Sequence, residues 1–303
     1  MTGPVYCVGE KAIETRLIWS PTLLCQNYSP GRSYGDTCPY CCYGWDPQAK
    51  RFIYEGQPTM TTELAPYADV LGFLWTNAST FDHYVEVTGG EPLLYPHLAD
   101  MLGRDLSKWQ WGITSNTQNT VAIRQLIDAS GGHLMRCMSW TASYHPFASE
   151  AKRAAFATNI TQLRFAMPGR LSVTLVVSRH TLPVLDDAVA FLRRLPLDGI
   201  QHHVAIQGSD PEERRQLIAR GRELFGVEAV VDSVPPVPNR CDRHASLLFL
   251  ASDGNLYPCL TYGMLAREPI GRATADLRVA DLPAAVKGCP VPCCAVCDHI
   301  KLR

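Results

Sequence analysis

Between residues 16 and 206 the chain alternates short apolar runs with amphipathic stretches, and this alternation restricts its folds more than any other feature. Candidate strands fall at 16–24, 83–88, 110–114, 134–141, 171–177 and 199–206, each rich in apolar or β-branched residues. Helical stripes lie between or after them: Leu64, Ala68 and Leu71; Leu185, Val189 and Leu192; and Leu217, Leu224 and Phe225. Six strand–helix units in alternation imply a parallel sheet with right-handed crossovers. Six are too few to close an eight-fold barrel, so the expected α/β fold is an open, partial (β/α)6 barrel. In such folds the chemistry gathers at the C-terminal ends of the strands.

Cysteines frame this region. The chain has 12, of which four lie at Cys25, Cys38, Cys41 and Cys42 and six at Cys241, Cys259, Cys289, Cys293, Cys294 and Cys297. Cys137, inside an apolar run, reads as a core residue, and Cys7 has no partner pattern. A disulfide scaffold would spread its bridges, whereas two metal sites would cluster their ligands. The N-terminus has no signal-peptide pattern, and no apolar run approaches the roughly 18 residues of a membrane span. A formal net charge of -1 leaves no electrostatic footprint for nucleic acid. A cytoplasmic protein that binds neither nucleic acid nor membrane is the expectation. The proline-rich stretch 233–239 marks a boundary between residues 1–232 and a small C-terminal domain, 233–303.

The first cysteine group lies on a loop, residues 25–45, broken by Pro30, Gly31, Gly35 and Pro39. Thiolates suit iron–sulfur clusters, and three of them leave one iron of a four-iron cluster open to a cofactor or substrate. A zinc knuckle satisfies the same residues. Downstream, the second strand ends in Val87-Thr88-Gly89-Gly90-Glu91-Pro92, the third in Ile113-Thr114-Ser115-Asn116, and the fourth in Ser139-Trp140-Thr141-Ala142-Ser143. Paired glycines at a strand end let backbone approach a ligand, and a carboxylate there can meet an ammonium group.

These elements, in this order, resemble the radical S-adenosylmethionine (SAM) superfamily, across roughly residues 13–230. Its usual signature is Cys-x3-Cys-x2-Cys after the first strand, with an aromatic residue before the last cysteine. Cys38-Pro39-Tyr40-Cys41 matches the second half. Tyr34 stands where the first cysteine belongs, and Cys25 is the upstream thiol, so the loop reads as Cys-x12-Cys-x2-Cys, with Cys42 a competing ligand. The resemblance implies that Cys25, Cys38 and Cys41 hold a 4Fe–4S cluster and that Tyr40 borders the adenine. Gly89, Gly90 and Glu91 would hold the methionine moiety, with Asn116 and Ser143 near the ribose. It further implies an enzyme that reductively cleaves SAM to methionine and a 5'-deoxyadenosyl radical, with flavodoxin or ferredoxin as electron donor.

In the C-terminal region, Cys241-x12-Gly254-x4-Cys259 brackets a hairpin with its turn at Asp253-Gly254, followed by an expected helix over 275–287 and then Cys289, Cys293, Cys294 and Cys297. This is similar to the SPASM and twitch domains of radical SAM enzymes and implies an auxiliary 4Fe–4S cluster held by four of the six cysteines. A four-thiolate zinc site fits the spacing too. Cys293-Cys294-x2-Cys297 also resembles enzymes that transfer the 3-amino-3-carboxypropyl group of SAM to arsenite. The expected outcome is oxidation, cross-linking or rearrangement of a small molecule or peptide. Only 24 residues precede Cys25, which favours a small molecule or a peptide presented by another protein. The alternative of another class is a zinc-binding structural or interaction protein. His145, His202, His203, Arg179 and His180, at or near strand ends, are secondary candidates for substrate contact.

Overall fold

The computed structural model describes residues 5–8, 11–14, 16–22, 45–46, 51–52, 63–130, 138–196, 201–207, 211–226, 230–231, 247–258 and 268–282. All the cysteines except Cys7 lie outside these residues, as does Tyr40.

Two short strands, β1 (Val5–Val8) and β2 (Lys11–Glu14), pair antiparallel ahead of the main sheet. The chain then enters β3 (Arg16–Trp19). Within the segment that follows, β4 (Trp45–Asp46) and β5 (Arg51–Phe52) form a separate antiparallel pair. The repeating units come next: α1 (Tyr67–Thr76), β6 (Tyr84–Val87), β7 (Gln110–Ser115), α2 (Thr120–Ser130), β8 (Met138–Tyr144), α3 (Glu150–Ala166), β9 (Leu171–Ser178), α4 (Leu185–Arg193), β10 (Gln201–Gln207), α5 (Pro211–Phe225) and β11 (Val230–Val231). A turn of helix at Leu98–Asp100 running into a π-turn, Met101–Asp105, replaces a regular helix between β6 and β7. The chain finishes with β12 (Leu247–Leu250), β13 (Asn255–Tyr257) and β14 (Gly271–Arg272).

Ten strands form one sheet in the order β11-β10-β9-β8-β7-β6-β3-β12-β13-β14. From β11 to β12 every pairing is parallel; β13 and β14 are antiparallel additions. All six expected strands are present, and consecutive ones are neighbours. With successive strands laid down in one direction, right-handed crossovers put every connecting helix on the same face. The other face is left free of these helices.

Side-chain alternation records those two faces. In β8, Trp140, Ala142 and Tyr144 are buried, whereas Thr141 and Ser143 are half-buried. Tyr144 stacks on Phe191 of α4 at 5.1 Å and meets Phe156 of α3 edge-on at 5.2 Å, which fixes it beneath the helices. In β9, Val173 and Leu175 are buried, while Ser172 and Thr174 are half-buried. The Thr141 and Ser172 hydroxyls lie 3.2 Å apart across the strands. One face is thus hydrocarbon and the other a hydroxyl-bearing wall.

Several expected boundaries move. The first strand stops at Trp19 rather than continuing to residue 24, and the fourth runs to Tyr144, so Ser143 is a strand residue. Of the stripe of Leu64, Ala68 and Leu71, only Leu71 packs against the core. Pro66 caps α1, and the buried face is Val70, Phe73 and Leu74, with Leu64 and Ala68 exposed. The stripe of Leu185, Val189 and Leu192 is buried as expected, as is Leu217 of α5.

The hairpin around Asp253-Gly254 forms, and β12 joins it directly to the main sheet by pairing with β3, Leu248 against Leu17 and Leu250 against Trp19. After β14 the expected helix over 275–287 is absent from the described part, 275–282. A strap with a single 3₁₀ turn, Val279–Asp281, crosses α1 instead. Its backbone groups are taken by Asn77: the side chain donates to the carbonyls of Phe73 (2.9 Å) and Leu277 (2.8 Å) and accepts from the Val279 N–H (2.8 Å). Gly72 makes room for the strap, since a Cβ there would lie 2.5 Å from that of Ala275. No helix among the described residues is long and apolar enough to cross a membrane.

Candidate functional site

Parallel pairing brings the C-terminal ends of β3, β6, β7, β8, β9 and β12 to one rim. At its centre are the residues just before the cysteine loop. Ser20 donates its N–H to the Leu250 carbonyl (2.9 Å), Thr88 donates to the Trp19 carbonyl (2.9 Å), and Gly90 donates to the Thr22 carbonyl (3.0 Å). Gly89 has φ +130°, a conformation open to glycine and rarely to L side chains. A Cβ on it would collide with Ser20 Oγ and lie 2.8 Å from the Thr22 carbonyl oxygen. The Gly-Gly element is therefore packed against the foot of the loop that carries Cys25, Cys38, Cys41 and Cys42. The other foot is held as well: Ala65 N–H donates to the Ser252 carbonyl in the β12–β13 turn (2.7 Å).

Glu91 is fully buried, and its carboxylate faces inward. Oε1 accepts from the Leu93 N–H (3.0 Å) and the Ser115 hydroxyl (2.7 Å), and Oε2 accepts from the Asn116 N–H (2.8 Å). Burial raises its pKa to about 7 despite these three donors, each of which pulls it down. Its two oxygens thus have three donors from the chain itself. Among the described residues no backbone N–H donates to the Gly89 or Gly90 carbonyl.

The network continues through β7 and β8. Ser115 Oγ accepts from the Thr117 N–H (2.9 Å), and Thr117 Oγ1 accepts from Trp140 Nε1 (3.0 Å). The Thr117 carbonyl accepts from Asn159 Nδ2 of α3 (3.0 Å). Thr117 itself is buried in a left-handed conformation, φ +58°. Asn116 is buried, and its Oδ1 accepts from the Gln118 N–H (3.1 Å), a local turn rather than an outward-facing group. Ser143 is half-buried on the hydroxyl-bearing face.

His145 follows β8, and burial, with the nearby Lys152 charge, lowers its pKa to about 4, so the imidazole is neutral. Arg179 Nε donates to His180 Nε2 (3.3 Å) at the end of β9, and burial followed by the Arg179 charge lowers the His180 pKa. The β9–β10 register pairs His202 with Val173 and His203 with Thr174.

Of the expected site residues, the structure brings Gly89, Gly90, Glu91, Asn116 and Ser143 to three adjacent strand ends. Tyr40 and all the assigned cysteines, Cys25, Cys38, Cys41, Cys241, Cys259, Cys289, Cys293, Cys294 and Cys297, lie outside the described residues. Among the described residues no group of three His, Cys, Asp or Glu side chains is placed to hold a metal ion.

The fold is similar to that of SuiB. The crystal structure of Streptococcus suis SuiB bound to S-adenosylmethionine superposes with a TM-score of 0.54 at 12% identity, covering 89% of this chain and 63% of SuiB. The chain thus spans less than two thirds of SuiB, and at this identity the likeness is one of fold. It bears out the mixed α/β architecture with a large parallel sheet. No protein-family profile and no curated protein matches the chain.

Sequence reasoning missed Ser20, Thr22, Thr117 and Asn159, and quoted Ser115 and Trp140 within strand-end motifs without giving them a role. One of them carried a visible signal. Asn159 occupies the apolar stripe of α3 with Phe156, Ile160 and Leu163, where a polar side chain needs a buried partner.

Proposed function

We propose that the protein is a radical SAM enzyme whose cofactor site is the rim where β3, β6, β7 and β8 end. A single observation carries this reading: Gly89 and Gly90 are built into the foot of the cysteine loop through Ser20 and Thr22. An element suited to a methionine moiety and a loop suited to an iron–sulfur cluster therefore leave the sheet side by side. That the fold is shared with SuiB, a protein crystallised with SAM, supports the same reading.

In this assignment Cys25, Cys38 and Cys41 hold a 4Fe–4S cluster and leave one iron for SAM. The Gly89 and Gly90 carbonyls meet the SAM ammonium, and Ser143 on the open face serves the ribose. Reduced by flavodoxin or ferredoxin, such a cluster would supply the electron for reductive cleavage of SAM and, through it, hydrogen-atom abstraction from the substrate. The chain's own part is to position SAM and shield it from water. The hydroxyl-bearing face, with Thr141, Ser172 and Thr174, is the wall against which a small-molecule or peptide substrate lies. Four of the C-terminal cysteines hold an auxiliary 4Fe–4S cluster, the strap over α1 leading into them.

Anaerobic reconstitution tests this. Wild type is expected to bind about eight irons, and Cys38→Ala/Cys41→Ala about four, with loss of 5'-deoxyadenosine formation. About four irons plus zinc in wild type would make the C-terminal site structural. No iron would refute the proposal.

A further inference from the structure

The Glu91 carboxylate is the end of a buried hydrogen-bond chain that crosses three strand ends. It accepts from Ser115 and from the Asn116 backbone; Ser115 accepts from Thr117; and Thr117 accepts from Trp140 of β8 and Asn159 of α3. Every side chain in this chain is at most 2% exposed. Buried polar groups in such a chain are costly to leave unpaired, so they fix one arrangement of the backbone they touch. That backbone is the pair of rim segments just after β6 and β7.

We propose that Glu91 is a positioning residue and not a SAM ligand: through Ser115, Thr117, Trp140 and Asn159 it locks the Gly89-Gly90 segment to the β7 and β8 ends, so that the walls of the cofactor site form one rigid unit. This rests on the functional reading above. Glu91 has three donors on its two oxygens and no exposed surface, which leaves no approach for an ammonium ion. Trp140 faces the helices from within β8, so its indole N–H reaches Thr117 beneath the rim without entering the site. The chain therefore joins the Gly-Gly element to a helix on the far side of the sheet.

The test uses the reconstituted protein and SAM itself, with equilibrium dialysis at a temperature well below every variant's melting point. Ser115→Ala and Glu91→Gln are each expected to raise the SAM Kd about tenfold, as the loss of a hydrogen bond to a charged group would. The double variant should be little worse than Glu91→Gln alone, because both act on one chain. Trp140→Phe, which keeps the ring packing, should weaken SAM binding in the same direction by roughly two- to threefold. A direct ligand role gives another pattern: Glu91→Gln loses SAM while Ser115→Ala and Trp140→Phe bind as wild type, which overturns the proposal. A role in stability alone lowers melting temperatures and leaves every SAM Kd unchanged, which overturns it too. If wild type binds no SAM, the functional reading fails and the positioning role falls with it. Non-additive melting of the same variants without SAM would then show that the buried chain exists apart from that reading.

Discussion

The buried Glu91 carboxylate makes the protein's stability depend on pH with a definite sign. Its pKa rises from an ordinary 4.5 to about 7 on folding, chiefly because burial disfavours the charge. Below pH 4.5 the group is protonated in both the folded and unfolded chains and adds no pH dependence. As pH rises from 4.5 to 7 the unfolded chain ionises and the folded one does not. The stability that protonated Glu91 gives the folded state is therefore fully present below pH 4.5 and lost as pH rises through 7. With 1.36 kcal/mol per unit, the loss is about 3 kcal/mol. Glu91→Gln removes this titration and keeps a neutral group of similar shape. Urea denaturation of the apoprotein at intervals from pH 4 to 8 should show the wild-type advantage over Glu91→Gln shrinking by about 3 kcal/mol and levelling off above pH 7. An advantage that stays constant across this range would refute the reasoning. One that grows with pH would show that the three donors outweigh burial and that the carboxylate is held ionised.

Two further outcomes follow from the fold. Gly89→Ala forces a side chain into φ +130° and into Ser20 and Thr22, so the apoprotein should lose about 3 kcal/mol or more by urea denaturation and take up less iron on reconstitution; a loss under about 0.5 kcal/mol would contradict the packing described. Asn77→Ala removes two part-buried hydrogen bonds between the end of α1 and the C-terminal strap and one to Phe73 within α1, at a cost of about 2–4 kcal/mol, and should speed tryptic cleavage after Arg278; an unchanged cleavage rate would show that the strap is held by other contacts.

Much of this architecture was legible because two simple periods write it into the chain. Alternation in β8 and β9 separates Trp140, Ala142, Val173 and Leu175 from Thr141, Ser143, Ser172 and Thr174, and Leu185, Val189 and Leu192 repeat at helical spacing. Other parts depend on contacts far apart in sequence. The α1 stripe was misplaced because Leu64 and Leu71 match the period as well as Phe73 and Leu74 do, and only Pro66 sets where the helix begins. Over the described part of the expected helix, 275–282, the Leu277 carbonyl and the Val279 N–H bond instead to Asn77, some 200 residues earlier. Gly89, Gly90 and Glu91 stand out in the sequence, but the partners of Glu91, Ser115 and Asn116, lie at the end of a neighbouring strand and only the fold brings them together.

Because β12 lies against β3, the cysteine loop between them and α1 is bounded by two pieces of chain made at very different times. Ser20 bonds to Leu250 and Ala65 to Ser252, so during synthesis one support for each foot of the loop is missing until residues 247–252 have left the ribosome. Cys25, Cys38, Cys41 and Cys42 are made before the whole repeating sheet. The rim around Ser20 and Gly89 is thereby completed near the end of folding, after the last parallel strand has closed against the first.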